Sequence, residues 1–131
     1  MDDSLAQSNK NLRSQEWVRE YFATVDKLNV DNIIANFAES GQFRFGNAQP
    51  AVGKEAIRNA LIEFFSAINA MYHENIGLWL GDNNNVFEAE VTYTRQDGTT
   101  VTLPCVSIFR FRDNLIYEFR KVMDAAPVFA A

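Results

Sequence analysis

The chain has 131 residues, 47% of them apolar, which is enough for one domain with a single core and too short for a second domain. Its 17 acidic and 12 basic residues give a formal net charge of −5, and the basic residues are scattered, which argues against a nucleic acid partner. No apolar run approaches the roughly 20 residues of a membrane helix and the start is acidic rather than basic, so we expect a cytoplasmic protein without membrane contact.

The first part of the chain has helical periodicity. Residues 1–12 are polar and are predicted to form a flexible tail, which leaves residues 13–131 as the single domain. Apolar residues recur at helical spacing over residues 14–28, behind a serine that can cap the helix. A short second helix is predicted to bury Phe37 and to end at Gly41, because glycine readily takes the left-handed conformation that ends helices.

The rest of the chain changes from helical to extended patterns. A short strand at 42–45 and a loop at 47–53 lead to a third helix, predicted over about 57–68. Four extended runs then follow, joined by short polar turns, at about 71–80, 86–96, 99–112 and 115–124. Three helices followed by a meander indicate an α+β fold, with the helices on one face of an antiparallel sheet.

The extended runs differ in how many of their faces are apolar. Residues 86–93 alternate cleanly between apolar and polar, so one face of that strand is expected to meet water. Residues 105–109 are largely apolar in both registers, and such a strand needs cover on both sides. Since helices cover one side, we predict a homodimer packed through the sheet. The alternative is that Val106 and Ile108 are scattered surface residues.

Several short motifs occur in a characteristic order between about residues 14 and 129. They are Val18-Arg19-Glu20-Tyr21, Gly53-Lys54-Glu55-Ala56-Ile57, His73-Glu74, Leu103-Pro104, and Arg120-Lys121-Val122-Met123-Asp124. In their order and spacing these motifs resemble the SnoaL-like and ketosteroid-isomerase-like branches of the nuclear transport factor 2-like superfamily. No single motif is specific, and the resemblance depends on the whole series.

The resemblance implies a fold but not one reaction. The fold is a cone-shaped, curved antiparallel sheet, mixed at its short first strand and packed on three N-terminal helices as an α+β barrel. Its open mouth holds a small apolar molecule, and members often form dimers through the sheet. The superfamily contains isomerases, aldol cyclases, dehydratases, epoxide hydrolases and proteins without chemistry, so the function must be inferred from the residues that line the cavity.

Two reactions of the superfamily fit the chain poorly. Tyr21 matches the oxyanion-donor tyrosine of ketosteroid isomerases, but the base carboxylate position falls on Phe45 and the acid-donor position on Ser107. Phenylalanine cannot accept a proton, so isomerisation by that route is not expected. Arg120 fits the arginine of the epoxide hydrolases, yet Lys121 follows where an acid is expected.

SnoaL-like cyclases enolise a ligand with an acid-base residue in the cavity. We predict this role for Tyr21 as oxygen donor and for His73, assisted by Asp124, as proton carrier. Each has a structural alternative: His73 as a hydrogen-bonded core residue, Asp124 as the cap of a final turn, and Tyr21 with its hydroxyl on a backbone carbonyl. Glu90 is expected to point away from the core.

A set of mostly apolar residues is predicted to contact the ligand: Trp17, Phe45, Phe65, Ser107, Phe109 and Met123. One histidine and one cysteine cannot complete a closed metal shell, so no metal or other cofactor is predicted. The first hypothesis is a SnoaL-like enzyme or binder for a small, apolar, carbonyl-bearing molecule. The second is a noncatalytic dimer that uses the same cone for binding or association.

Overall fold

The computed structural model describes residues 14–130, so the predicted tail at 1–12 lies outside the described residues. The helices are α1 (Gln15–Asp26), α2 (Val30–Ile34), α3 (Lys54–Phe65) and α4 (Ala126–Phe129). The strands are β1 (Phe37–Phe45), β2 (Ala51–Val52), β3 (Ile68–Leu80), β4 (Asn84–Arg95), β5 (Thr100–Arg112) and β6 (Leu115–Val122). None of the helices within these residues has the length and apolar character needed to cross a membrane.

One sheet of six strands organises the fold, in the order β2-β1-β6-β5-β4-β3. The pair of β1 and β6 is parallel and the other pairs are antiparallel, which confirms the predicted α+β fold with a mixed first strand. The sheet does not close into a barrel: β2 and β3 lie at its two open edges. The helices instead cover its concave side.

Helix α1 confirms the first predicted helix. The Ser14 side chain accepts a hydrogen bond from the backbone N–H of Trp17 at 3.2 Å, so it caps the helix as predicted. The buried stripe consists of Val18, Tyr21, Phe22 and Val25. Asp26, the last helical residue, lies four positions after Phe22 and therefore on the same side of the helix.

The predicted second helix was too long. Helix α2 ends at Ile34, and Phe37 begins β1 instead of closing the helix. Gly41 does not end a helix but lies in β1, where an added Cβ would meet the carbonyl oxygens of Ala38 and Ile116 at 3.0 Å. The parallel partner β6 lies about 80 positions further along the chain, so local pattern could not reveal this pairing.

Two short elements were missed by the sequence analysis. The predicted loop at 47–53 contains β2, which pairs with β1 through Gln42 and Phe43. The helix α4 after Asp124 was not predicted either. Both are too short for periodicity to mark them.

The two faces of the sheet have different surroundings. On β4, Phe87, Ala89, Val91 and Tyr93 are buried against the helices, as the alternation predicted. The outer face carries a cross-strand row of three apolar side chains, Trp79, Val86 and Ile108, which are paired directly across β3, β4 and β5. Trp79 in this outer row is 58% exposed.

Candidate functional site

A cavity of about 300 Å³ lies between the helices and the concave face of the sheet. We call it the inner cavity. Its walls are mostly aromatic and aliphatic side chains from α1, α3, β1 and β6, and Phe129 lies at its exposed rim. Among its lining residues in the described part of the chain, only Tyr21, Glu63 and Lys121 have polar side chains. Glu63 is exposed, so the two buried polar groups are the Tyr21 hydroxyl and the Lys121 amine.

Lys121 reaches the inner cavity from strand β6. It lies two residues after the buried Phe119, and alternation along the strand therefore directs both side chains to the concave face. Only 4% of Lys121 is exposed. Burial lowers the pKa of its amine, because the ammonium form loses its hydration, and nearby Cys105 and Asp26 offset this lowering only in part. A buried lysine of this kind holds more neutral amine at a given pH than an exposed one.

A hydrogen-bonded series of three side chains connects Lys121 to helix α1. The Lys121 Nζ lies 2.5 Å from His73 Nε2, and His73 Nδ1 lies 2.7 Å from Asp26 Oδ1. The second oxygen of Asp26 accepts the backbone N–H of His73 at 3.0 Å, which fixes the imidazole in place. With the Nδ1 proton donated to the carboxylate, Nε2 is the acceptor for the amine. We call this series the Asp26–His73–Lys121 relay.

His73 is held neutral in this arrangement. Burial and the neighbouring Lys121 lower its pKa to about 4, although the hydrogen bond to Asp26 acts in the opposite direction. The ring packs against Phe22, with the ring centroids 4.4 Å apart. The unprotonated Nε2, which accepts the hydrogen bond of the Lys121 amine, can take over a proton that the amine has gained.

The relay joins two different compartments. Lys121 lines the inner cavity, whereas His73 and Asp26 line a separate cleft on the outside of the domain, beside Arg19 and Asn75. The Asp26 side chain is 17% exposed, so its carboxylate has contact with solvent. The three side chains therefore link the solvent-accessible outer cleft to an amine in an apolar cavity.

Tyr21 supplies the second buried polar group. Its hydroxyl has no hydrogen-bond partner within residues 14–130, and its ring stacks on Trp17 with centroids 5.1 Å apart. Burial raises the pKa of Tyr21, so the hydroxyl stays protonated and is available as a donor. Leaving such a group unpaired costs about 1–3 kcal/mol, which a ligand oxygen in the cavity would recover.

The comparisons with known proteins agree with this architecture. The family profile described as a SnoaL-like domain matches residues 18–119. The chain belongs to the SnoaL-like domain family. No curated protein sequence matches it.

Solved structures share the fold of this SnoaL-like domain at low sequence identity. A protein of unknown function from Burkholderia pseudomallei, described as NTF2-like, is 17% identical, with 92% of this chain and 94% of that chain covered and a TM-score of 0.77. TerC, co-crystallised with polyporic acid, is 16% identical over 87% and 93% of the two chains, with a TM-score of 0.74. A putative SnoaL-like polyketide cyclase from Jannaschia sp. CCS1 is 18% identical over 84% and 87%, with a TM-score of 0.69.

The structure gathers three of the predicted ligand-site residues around the inner cavity of the SnoaL-like domain. Tyr21, Phe45 and Phe65 all line it. Phe45, which the sequence resemblance implies to be at the position of the base carboxylate in ketosteroid isomerases, packs against Phe64 with ring centroids 4.7 Å apart. This position therefore contributes to the apolar wall and not to proton transfer.

The other predicted contact residues do not line the inner cavity. Trp17 packs behind Tyr21, and Phe109 is fully buried in the core against Phe119. Met123 accepts a hydrogen bond from the Tyr93 hydroxyl at 3.4 Å. The fully buried Ser107 has its Oγ 3.8 Å from the Cys105 Sγ. All four belong to the packing around the cavity.

The two predicted proton carriers do not contact each other. Asp124 is exposed, and its carboxylate accepts the backbone N–H of Ala126 at 3.0 Å, which is the capping role considered for it in the sequence analysis. The carboxylate that binds His73 is that of Asp26. His73 itself does not line the inner cavity; the residue between it and the cavity is Lys121.

Sequence reasoning missed Asp26 and Lys121 as site residues, although each had a signal. Asp26 continues the buried side of α1, where a carboxylate interrupts an apolar stripe. Lys121 shares the strand face of Phe119, so its charge falls at an inward position. A charged residue at a position that the pattern assigns to the core is a candidate for function, because burial of an unpaired charge is costly.

Proposed function

We propose that this SnoaL-like domain binds a small, mostly apolar molecule with a carbonyl group in the inner cavity and transforms it by acid–base chemistry. The observation that carries the proposal is the pair of buried polar groups, the Tyr21 hydroxyl and the Lys121 amine, in an otherwise apolar cavity. Apolar walls favour a flat hydrocarbon frame, and the two polar groups fix its orientation.

The Tyr21 hydroxyl is assigned to the carbonyl oxygen of the ligand. Its pKa is raised by burial, so it remains a donor over the physiological range. A hydrogen bond to the carbonyl oxygen strengthens as negative charge develops there, which is the condition for stabilising an enolate. Because the hydroxyl has no hydrogen-bond partner among residues 14–130, this donor is free for the ligand.

The relay is assigned to the proton that leaves the carbon next to the carbonyl. The neutral Lys121 amine accepts this proton, and the chain of hydrogen bonds through His73 to Asp26 connects it with solvent in the outer cleft. Enolisation of this kind is the first step of isomerisation, aldol cyclisation and dehydration. Putative polyketide cyclases among the structural neighbours support the choice of a carbonyl substrate.

Proton exchange at the carbon beside a carbonyl tests this function. With 2-tetralone as a flat, apolar ketone probe in deuterium oxide, the protein is expected to accelerate exchange above the buffer rate, followed by NMR. Tyr21→Phe should reduce the accelerated rate by about 100-fold, the usual effect of losing one oxyanion donor. Tyr117→Phe is the matched control, since Tyr117 lines neither the inner cavity nor the outer cleft and packs under Arg112 instead, so it should have no effect. Equal rates in all three proteins would refute the proposal.

A second candidate function, association of two copies, is favoured by the outer row Trp79, Val86 and Ile108. We propose that the domain forms a homodimer through this face of the sheet. The row continues into Arg120 on β6, and Glu88 lies on the neighbouring row, so the face carries both charges that a self-complementary contact uses. Trp79 is exposed and Val86 and Ile108 are half-buried, and a contiguous apolar row of this kind is typical of an interaction surface.

If the domain dimerises, its mass in solution should increase with concentration, and one charge introduced in the outer row should prevent dimer formation. Light scattering after size exclusion should give twice the chain mass for the wild type and one chain mass for Ile108→Glu, because the new carboxylate would be buried in the contact. Leu115→Glu, at a partly exposed position at the start of β6, should remain dimeric. A wild-type protein that stays monomeric at the highest soluble concentration would exclude this interface.

A further inference from the structure

Lys121 is arranged as a nucleophile as well as a base. Covalent catalysis by side chains uses a nucleophile within hydrogen-bond distance of a base, and a third group that orients the base. In the relay these parts are the Lys121 amine, the His73 imidazole at 2.5 Å and the Asp26 carboxylate at 2.7 Å from the imidazole. The two contacts of Asp26, one with the ring and one with the backbone of His73, leave the imidazole little freedom to turn away.

We propose that Lys121 forms an imine with an aldehyde or ketone bound in the inner cavity. The inference rests on the proposed function and deepens it, since it assigns a covalent bond to the carbonyl ligand. The Nζ lone pair adds to the carbonyl carbon, and the C=O π pair moves to the oxygen beside the Tyr21 hydroxyl. One proton leaves the nitrogen through His73 Nε2 and the oxygen takes up one, which gives the neutral carbinolamine. The oxygen takes up a second proton and leaves as water while the nitrogen lone pair forms the C=N bond. The nitrogen then releases its second proton through His73 Nε2. One amine and one carbonyl give one imine and one water, without oxidation or reduction.

The surroundings of Lys121 favour this bond over attack by other lysines. Lys54 is half-buried beside Glu39, with an N–O distance of 3.8 Å, and Lys27 is exposed. Among the lysines of the described chain only Lys121 lines the inner cavity. The aromatic walls also favour loss of water from the carbinolamine, because they solvate the apolar imine better than its hydroxylated precursor.

The lowered pKa of Lys121 increases the rate at which it reacts. An ordinary lysine with a pKa near 10.4 holds well under about 0.1% of neutral amine at pH 7, and each unit of lowering raises that fraction about tenfold. Burial is the main cause of the lowering. Selective reaction at neutral pH is therefore expected at Lys121.

Reductive trapping tests the imine directly. The full chain is incubated at pH 7 with 2-naphthaldehyde and sodium cyanoborohydride, and adducts are located by intact mass and peptide mapping. One adduct at Lys121 is expected, formed at least about tenfold faster than at any other lysine. Lys121→Met should lose this fast adduct, whereas Lys54→Met should keep it.

Two further variants separate chemistry from folding. Ala60→Leu fills part of the inner cavity and leaves the relay intact, so trapping at Lys121 should slow although the amine is present. Asp26→Asn should shift the pH dependence of trapping, since Asp26 positions His73 without touching the ligand. Labelling spread evenly over the surface lysines would overturn the imine.

The result of reductive trapping is interpreted together with the rate of deuterium exchange of 2-tetralone. Deuterium exchange that depends on Tyr21, without a trapped adduct at Lys121, would overturn the imine and leave the acid–base function standing. Absence of both would refute both proposals. A trapped adduct at Lys121 that Ala60→Leu slows supports the imine, whichever ketone proves to be turned over.

Discussion

As the pH falls below 10.5, the wild-type protein is expected to lose stability relative to a Lys121→Met variant, by up to about 1.4 kcal/mol for each pH unit. Burial lowers the pKa of Lys121 in the folded protein, whereas in the unfolded chain the amine has its ordinary pKa of 10.5. Below pH 10.5 the unfolded chain therefore binds a proton that the folded protein does not. Stability is lost as the pH falls through this window and levels off below the folded-state pKa of the amine.

Urea unfolding of the two proteins across this pH range measures the effect. The methionine variant also removes the donor to His73, at a cost of about 1–3 kcal/mol at every pH. The prediction therefore concerns how the difference in unfolding free energy between the two proteins changes with pH. Lys54→Met is the control for the loss of one lysine at a half-exposed position. A difference between the wild type and Lys121→Met that stays flat with pH would mean that burial does not lower the pKa of the Lys121 amine.

The second large effect is expected on the acid side. Burial lowers the pKa of His73 to about 4 from 6.5, so the unfolded chain takes up a proton below pH 6.5 while the folded protein does not. The free energy of unfolding should therefore fall by about 3 kcal/mol between pH 6.5 and pH 4 on account of this residue. Below pH 4 its contribution is constant.

A His73→Asn variant isolates this contribution. Its amide can still donate to Asp26 but does not titrate, so the difference in unfolding free energy between wild type and variant should change across this window. The chain has one histidine, so a single imidazole resonance in the NMR spectrum reports its pKa without assignment. A resonance that titrates near pH 6.5 would contradict the buried relay.

The elements that follow from local pattern were predictable from the sequence. The apolar stripe of α1 and the alternation of β4 each depend on spacing within a single element, and both are confirmed. The boundary between α2 and β1 was not predictable in this way. Phe37 extends because β1 pairs in parallel with β6, and a contact across that distance leaves no mark on the local periodicity.

In the candidate site, too, the residues that depend on local pattern were predictable and those that depend on long-range contacts were not. Tyr21, Phe45 and Phe65 could be proposed as cavity residues from helix periodicity and family resemblance, and all three line the cavity. Asp26 and His73 are separated by 47 positions and meet only because α1 packs on β3. The sequence gives no register for that contact, so the partner of His73 could not be identified from it.

Because sequence identity to the solved structures is low, the chemistry of this domain must be inferred from its own side chains. The structural neighbours described above are below 25% identity and share the fold alone. The resemblance to ketosteroid isomerases implies that Phe45 and Ser107 stand where that family has acids. The amine of Lys121 offers a different way to handle a carbonyl within the same architecture. Both the exchange reaction and the imine depend on this amine being neutral.

The ionisation of Lys121 in the unliganded protein tests that claim most directly. The chain has four lysines, so ¹⁵N and ¹³Cε NMR of lysine-labelled protein gives four signals, and Lys121→Met identifies the one of interest. We predict that this signal has the chemical shift of a neutral amine at pH values below 10.5, the ordinary pKa of a lysine amine. A Lys121 signal that titrates near pH 10.5 would contradict a neutral buried amine.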